Sequence, residues 1–404
     1  MLLVGCIGCA PSLKKMPLES PRTPPTREPL VRVCLNDQPI RTTLQFLSPY
    51  HLKLEEAEYV LDEFIGPLDV QLDPRGVTIR NNRRYFSLPA PVRLVFRPRS
   101  PEARFLWNGN LYSGRLEIFL TGTEVLVINQ LPLEVYVLGV VPFEVPSGQE
   151  EYRQAVSAQA VAARTYALYR LRREPRQKAF HLYADVRDQV YGGWGKVNPL
   201  VREAVARTRG EVLKSGQMAA YIQYHSTCGG YLEGLSRSNP DSAAWRPDRD
   251  VNGDHCRISP VYRWIERRKV RTILDNLQRM KRVTPDQVHR WQQRGYFFQL
   301  RVVNRFPSGR VRAVAIRVDD QTFEVRDYQI RRALADASGR TLPSNFFILM
   351  TSPTRPEMFY VIGAGFGHGR GMCQWGALGM ALSGADYRDI LRFYFPDYTL
   401  RKVY

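Results

Sequence analysis

The stretch GVVPFEVPSG, Gly139 to Gly148, sets one carboxylate, Glu144, among Val140, Val141, Phe143 and Val145, with Pro142 and Pro146 stiffening either side. Apolar surroundings penalise the charged form of a carboxyl, so its pKa rises and it can hold a proton near neutral pH, as a general acid must. The same ten residues also fit a solvent-facing glutamate on a loop. A second group carries sulfur and imidazole: YHSTCGG supplies His225, Ser226 and Cys228, and DHCRISPVY supplies His255 and Cys256. The two histidines and two cysteines could furnish four zinc ligands. A Cys228–Cys256 disulfide, closing a loop at a gain of about 3 to 4 kcal/mol, is the plainer account if the chain is exported. The third group is GFGHGRGMCQW, with His368, Gln374 and Trp375. It lacks the Lys-Ser/Thr ending and spacing of a phosphate loop. Glycine at every second position instead suits a backbone running close to another chain or to a sugar. His368 and Gln374 could then hydrogen-bond a glycan and Trp375 stack on it, or all three could be ordinary structural side chains.

These residues need a frame, and the pattern predicts an α+β fold with a β-rich core, one long helix after the Glu144 loop, and a C-terminal glycine-rich loop followed by a helix. From Val31 to about Val127, runs such as VRVCL, LDVQL and GRLEIFL alternate with turn signals such as DPRG and WNGN. Residues 150 to 172, free of Gly and Pro and rich in Ala, predict a helix of about six turns. It carries Gln159, Arg164 and Tyr166 as large polar groups among small ones. Strand character returns over residues 208 to 224. Residues 265 to 350 form a mixed segment, with helices expected near 270 to 280 and 285 to 293 and strands in FFQLRVV and RVRAVAIRV. Helix resumes from about Gln374. The expected organisation is therefore a terminal segment and tether (1–29), a β-rich region (30–106) and a domain carrying the chemistry (107–404).

The net charge of +19 favours polyanions, whether nucleic acid, an anionic membrane face or an acidic wall polymer. No zinc-finger, basic-zipper or RNA-binding signature accompanies it, so nucleic acid is not an expected partner. Leu3, Val4, Gly5 and Cys6 have lipobox spacing, which makes Cys6 a lipidation candidate, and Pro17 to Pro29 reads as an extended tether. No later run of about 20 apolar residues predicts a membrane span. Contact with membrane is thus expected only through a lipid anchor, on an exported protein of the cell envelope.

Four stretches in order resemble the SpoIID/LytB family, the stage II sporulation protein D type of peptidoglycan-active proteins. They are NQLPLEVYVLGVVPFEVP leading into AVSAQAVAARTYAL; DQVYGG with AVARTRGEVL; YHSTCGG; and GAGFGHGRGMCQWGALGMA. The resemblance spans roughly Trp107 to Leu400. It implies that Glu144 is the acid of a lytic transglycosylase, which cleaves between N-acetylmuramic acid and N-acetylglucosamine without water and leaves a 1,6-anhydro end. The expected substrate is a glycan strand, preferably stripped of stem peptides. Gln159, Arg164, Tyr166, Gln189, Tyr191, His225, Ser226, His368, Gln374 and Trp375 are then expected to bind it, while Glu134 is expected to be structural. The alternative implied by the same resemblance is a non-catalytic wall binder that enhances an N-acetylmuramoyl-L-alanine amidase. Arg370 and Cys373 stand where many relatives have Val and Ser. The His and Cys ligands that some members carry before the QVY segment are not reproduced, since His181 stands there without a Cys, so no metal is carried over from them and zinc remains open only at Cys228 and Cys256.

Overall fold

The structure, a computed structural model, describes residues 27–54, 57–59, 66–80, 85–173, 178–234, 246–352 and 354–404. Cys6 and most of the proline-rich tether lie outside these residues. The short alternating runs form two sheets. One has seven strands in the order Leu182–Tyr183, Leu30–Asn36, Val125–Pro132, Arg115–Leu120, Val92–Pro98, Tyr50–Leu54 and Ala57–Tyr59. The other has six: Asn110–Ser113, Arg104–Trp107, Ile40–Phe46, Gly66–Asp73, Gly76–Arg80 and Tyr85–Pro89. Period-two burial decides which side faces in, as Leu68, Val70 and Leu72 show on one strand and Leu116, Ile118 and Leu120 on another. Phe46 of the six-stranded sheet packs on Phe96 of the seven-stranded one, ring centroids 5.0 Å apart, inside one continuous core. The boundary expected at residue 106 falls within a hairpin, Trp107 pairing with Asn110, and Val125–Pro132 pairs with Leu30–Asn36. The β-rich region therefore runs on to Pro132, because the later strands pair edge to edge with earlier ones in both sheets.

Among the described residues, eight α-helices follow: α1 (Leu133–Glu144), α2 (Arg153–Arg173), α3 (Pro199–Arg207), α4 (Val270–Arg279), α5 (Pro285–Arg294), α6 (Tyr328–Ala333), α7 (Gln374–Leu382) and α8 (Tyr387–Tyr394). Helices α2, α4, α5 and α7 lie where the sequence places them. Where the sequence suggests a loop around Glu144, the structure has the end of α1, and the reason is burial: Leu133, Tyr136, Val137, Val140 and Val141 are all fully covered, so no polar face betrays the 3.6-residue period. Alanines 155, 158, 160, 162 and 163 are likewise buried on α2, and their small size lets α1, α3, α7 and α8 approach it. Helices α4, α5 and α6 pack with the strands Phe298–Arg305, Val311–Val318 and Gln321–Arg326 in a second core of residues 270 to 361. Among the described residues, no helix is long and apolar enough to cross a membrane.

One parallel strand pair joins the two distant motif loops: Tyr224 lies opposite Met372, and His225 opposite Cys373. The glycines make this approach possible. At Gly371 (φ +70°) a Cβ would stand 1.9 Å from the Gln223 carbonyl oxygen, and at Gly365 (φ +73°) one would stand 2.4 Å from that of Thr227. The close approach that these glycines allow is to residues 223–229 of the same chain.

Candidate active site

Glu144 ends α1, half-buried, where three other elements converge on its carboxyl. The Val190 N–H, just after Gln189, donates to Oε1 at 2.7 Å. Gln374, the first residue of α7, donates through Nε2 to Oε2 at 3.3 Å, and Tyr224 stands close enough to favour the charged carboxylate. Burial raises the Glu144 pKa above its ordinary value; the bonds from Val190 and Gln374 and the proximity of Tyr224, which favour the carboxylate, offset only part of this. The result is a carboxyl that is held in place and biased toward its protonated form.

Behind it runs a buried relay. The Tyr136 hydroxyl donates to Gln189 Oε1 at 3.0 Å, and Gln189 Nε2 donates to the Tyr224 oxygen at 2.8 Å. Gln189 thus orients Tyr224 and does not itself face the open side. The neighbouring acids are committed elsewhere. Asp188 accepts from the Tyr166 hydroxyl at 2.6 Å and the Tyr183 N–H at 2.8 Å, and pairs with Arg170 at 3.2 Å. Glu134 accepts from Arg164 Nε and Nη2 at 2.8 and 2.7 Å, from Tyr404 at 2.5 Å and from the Gly210 N–H at 3.2 Å. Desolvation would raise the Glu134 pKa, but the Arg164 bonds outweigh it and hold the carboxyl below its usual range.

Several expected sugar contacts are corrected by this geometry. Arg164 is fully buried against Glu134 and the carbonyls of Glu211 and Val205, out of reach of any glycan. Tyr191 is a core residue, its hydroxyl bonded to Asn129 at 2.9 Å and its ring closing on Gly139. Tyr166 is engaged with Asp188. Gln159 is fully buried on α2, with neither amide atom hydrogen-bonded. Ser226 is half-buried, its hydroxyl beside that of Thr227 and its carbonyl accepting the Trp375 N–H at 3.0 Å, so Trp375 is fixed to the same loop. His225 is buried, with Nδ1 bonded to the Arg370 carbonyl at 3.0 Å; burial and the nearby His368 and Arg310 keep it neutral. His368 is exposed and, with Arg312, Tyr328, Arg331 and Arg370, lines a separate cavity of about 410 Å³. Of the residues picked out by motif, Gln374 is the one that meets Glu144 directly.

Tyr224 and Val190 were missed. Tyr224 stood in a quoted motif but read as strand, and Val190 acts through its backbone N–H, which no side-chain pattern reveals. The disulfide expectation is also corrected: Cys34, Cys228, Cys256 and Cys373 are all free, with 3.5 Å between the sulfurs of Cys228 and Cys256. Nor do His225 and His255 complete a ligand set with them. His225 is occupied by Arg370, and His255 Nδ1 faces Asp250 at 3.9 Å. The sulfurs gather instead around Asp248.

Residues 121–214 match the family model described as stage II sporulation protein, SpoIID, and residues 248–371 match a domain of unknown function, DUF8618. An uncharacterized protein of Brachyspira hyodysenteriae is 32% identical over 294 residues, which is 72% of each chain. The amidase enhancer of Bacillus subtilis is 25% identical over 65% of this chain and 40% of its own length. Stage II sporulation protein D of the same organism is 24% identical over 66% of this chain and 74% of its own.

Proposed function

The chain belongs to the SpoIID family, and we propose that it acts on the bacterial cell wall as a peptidoglycan lytic transglycosylase with Glu144 as its single acid and base. The observation that carries this reading is the Glu144 carboxyl itself: raised in pKa by burial and held by hydrogen bonds from two separate motif segments, at Val190 and Gln374. A wall binder without chemistry has no use for a desolvated, positioned acid.

The step balances with one carboxyl. Protonated Glu144 gives its proton to the oxygen linking N-acetylmuramic acid to N-acetylglucosamine as the bond from that oxygen to C1 breaks. The carboxylate so formed takes the proton from the 6-hydroxyl of the muramic residue as that oxygen bonds to C1. A 1,6-anhydro end results, no water is consumed, and Glu144 is again protonated. Most hydrolases need a second carboxylate to activate water or attack the sugar. Here the adjacent acids Glu134 and Asp188 are each neutralised by an arginine, which fits a mechanism that asks for one. The bonds from Val190 and Gln374 serve the second half of the cycle, when the carboxylate is charged.

The second reading is favoured by the amidase enhancer's similarity, namely that this chain binds wall glycan and raises the activity of an amidase without cleaving glycan itself. Digestion of amidase-denuded glycan strands, with mass spectrometry of the products, separates the two. Anhydro-muropeptides released by wild-type protein and not by Glu144→Gln support the enzyme. Intact strands together with faster amidase turnover support the enhancer. The cell-envelope location belongs to the same proposal, and is tested by whether Cys6→Ala abolishes detergent partitioning of the exported protein.

A further inference from the structure

Cys228, Asp248, Cys256 and Cys373 place one ligand atom each within 4.8 Å of one another, and all four residues are buried. Cys228 Sγ lies 3.5 Å from Cys256 Sγ, and as a thiol it donates to Asp248 Oδ2 at 2.8 Å, the contact that a shared cation would replace. With metal–sulfur bonds of about 2.3 Å, the edge of a tetrahedral thiolate site is about 3.8 Å. A disulfide needs about 2.0 Å between sulfurs and would use only two of the four groups. We propose that these residues form a closed tetrahedral site for zinc, with three thiolates and one carboxylate as ligands.

The surroundings suit anionic sulfur. The Gly230 N–H points at Cys228 Sγ at 3.3 Å, and the Gly376 and Cys228 N–H groups point at Cys373 Sγ at 3.3 and 3.2 Å. Such donors stabilise thiolates and orient them, as outer groups around a metal do. Asp248 is prepared in the same way: Tyr394 donates to Oδ1 at 2.8 Å, which leaves Oδ2 facing the sulfurs. The buried Arg310, bonded to the Cys228 carbonyl at 2.7 Å, adds positive charge beside the cluster. At Gly376 a Cβ would stand 2.1 Å from the Tyr394 oxygen and 2.6 Å from Asp248 Oδ2, so this position of α7 is cut to fit the cluster. A carboxylate buried among sulfurs is costly unless a cation accompanies it, and a divalent ion supplies that charge. All four ligands come from the protein, so the ion is structural and not a water activator.

Its place in the chain gives it a task. Cys228 lies four residues after Tyr224, and Cys373 immediately precedes Gln374. Asp248 and Cys256 come from the segment between the two motif loops. One ion therefore fastens together the loops that bring Tyr224 and Gln374 to Glu144. This inference rests on ligand geometry and stands whichever function the site serves.

The full chain, purified without chelator, should carry one equivalent of zinc by elemental analysis and native mass spectrometry. Cys228, Cys256 and Cys373 should resist alkylation until a strong chelator is added, while their intact mass shows no loss of hydrogen. Replacement by Co²⁺ should give the visible bands of a tetrahedral site and a thiolate charge-transfer band. Asp248→Cys guards against a variant that simply fails to fold, because it should keep the metal and gain charge-transfer intensity from a fourth thiolate. A Cys–Cys crosslinked peptide among these three residues, thiols that alkylate at once in protein supplied with Zn²⁺, or unchanged Co²⁺ intensity in Asp248→Cys would each overturn the site.

Discussion

Gln374 Nε2 and Glu144 Oε2 meet at 3.3 Å across 230 positions of the chain. The bond favours the carboxylate and so lowers a pKa that burial raises. Gln374→Ala should therefore push the Glu144 pKa higher still, and the decline of activity with rising pH should move to more alkaline values. A pH–rate profile on denuded glycan checks the direction. A purely structural role for Gln374 would lower activity at every pH without moving the limb.

Glu144→Gln keeps the size of the side chain and removes its transferable proton. Loss of general acid-base assistance should cut turnover by about 10² to 10⁴-fold or more, while binding to denuded glycan survives. In the wild type, activity should fall as pH rises through the raised Glu144 value. Wild-type rates from folded Glu144→Gln protein would sink the assignment and favour the amidase-enhancer reading.

The same raised pKa predicts a stability effect that needs no substrate. The folded state holds this proton more tightly than the unfolded chain, so wild-type stability declines as pH rises through the folded pKa. Glu144→Gln escapes that penalty. Thermal melts should show the variant gaining on the wild type at alkaline pH, with no such gain well below the ordinary glutamate range.

Glu134 behaves oppositely. Its pKa is lowered in the fold by Arg164, so the stability it contributes is present above the unfolded carboxylate range and is lost as pH falls through the depressed value. Glu134→Gln leaves the fully buried Arg164 without its counter-charge and should cost about 3 to 5 kcal/mol. Urea unfolding at neutral pH measures it. Arg164→Ala should destabilise as well, and neither change should move the pH limb assigned to Glu144.

Gly371→Ala tests the contact that joins the motif loops. A side chain in the left-handed region costs about 1 to 2 kcal/mol, and here its Cβ would also press on the Gln223 carbonyl at 1.9 Å. Stability should drop by at least that amount, and activity should drop further, because the strand pair that carries Tyr224 and precedes Gln374 is forced apart. Ordinary melting and full activity would mean that the loops do not depend on this approach.

The sequence by itself determined the alternating strands, the alanine-rich helix α2, helices α4 and α5, and Glu144 as an acid in apolar company. Each of these is written in local period or local composition, which neighbours in the chain impose. Helix α1 was hidden because a segment buried on every side has no amphipathic stripe to read. Arg164 and Tyr191 stood in motifs and looked like sugar contacts, yet burial turned the first into the partner of Glu134 and the second into core. Only the tertiary structure decided which of the motif residues meet. Gln374, Tyr224 and the Val190 N–H reach one carboxyl, and three cysteines reach Asp248, through contacts between segments far apart in the chain. Asp248 sits in RPDRD, a run that reads as a solvated charged surface, and nothing local says that its carboxylate turns inward toward sulfur. Spacing along the chain constrains neighbours within a turn or a strand. Closeness between residues 144 and 374, or 228 and 373, is set by how the sheets, the alanine face of α2 and the glycine-lined loops pack against one another.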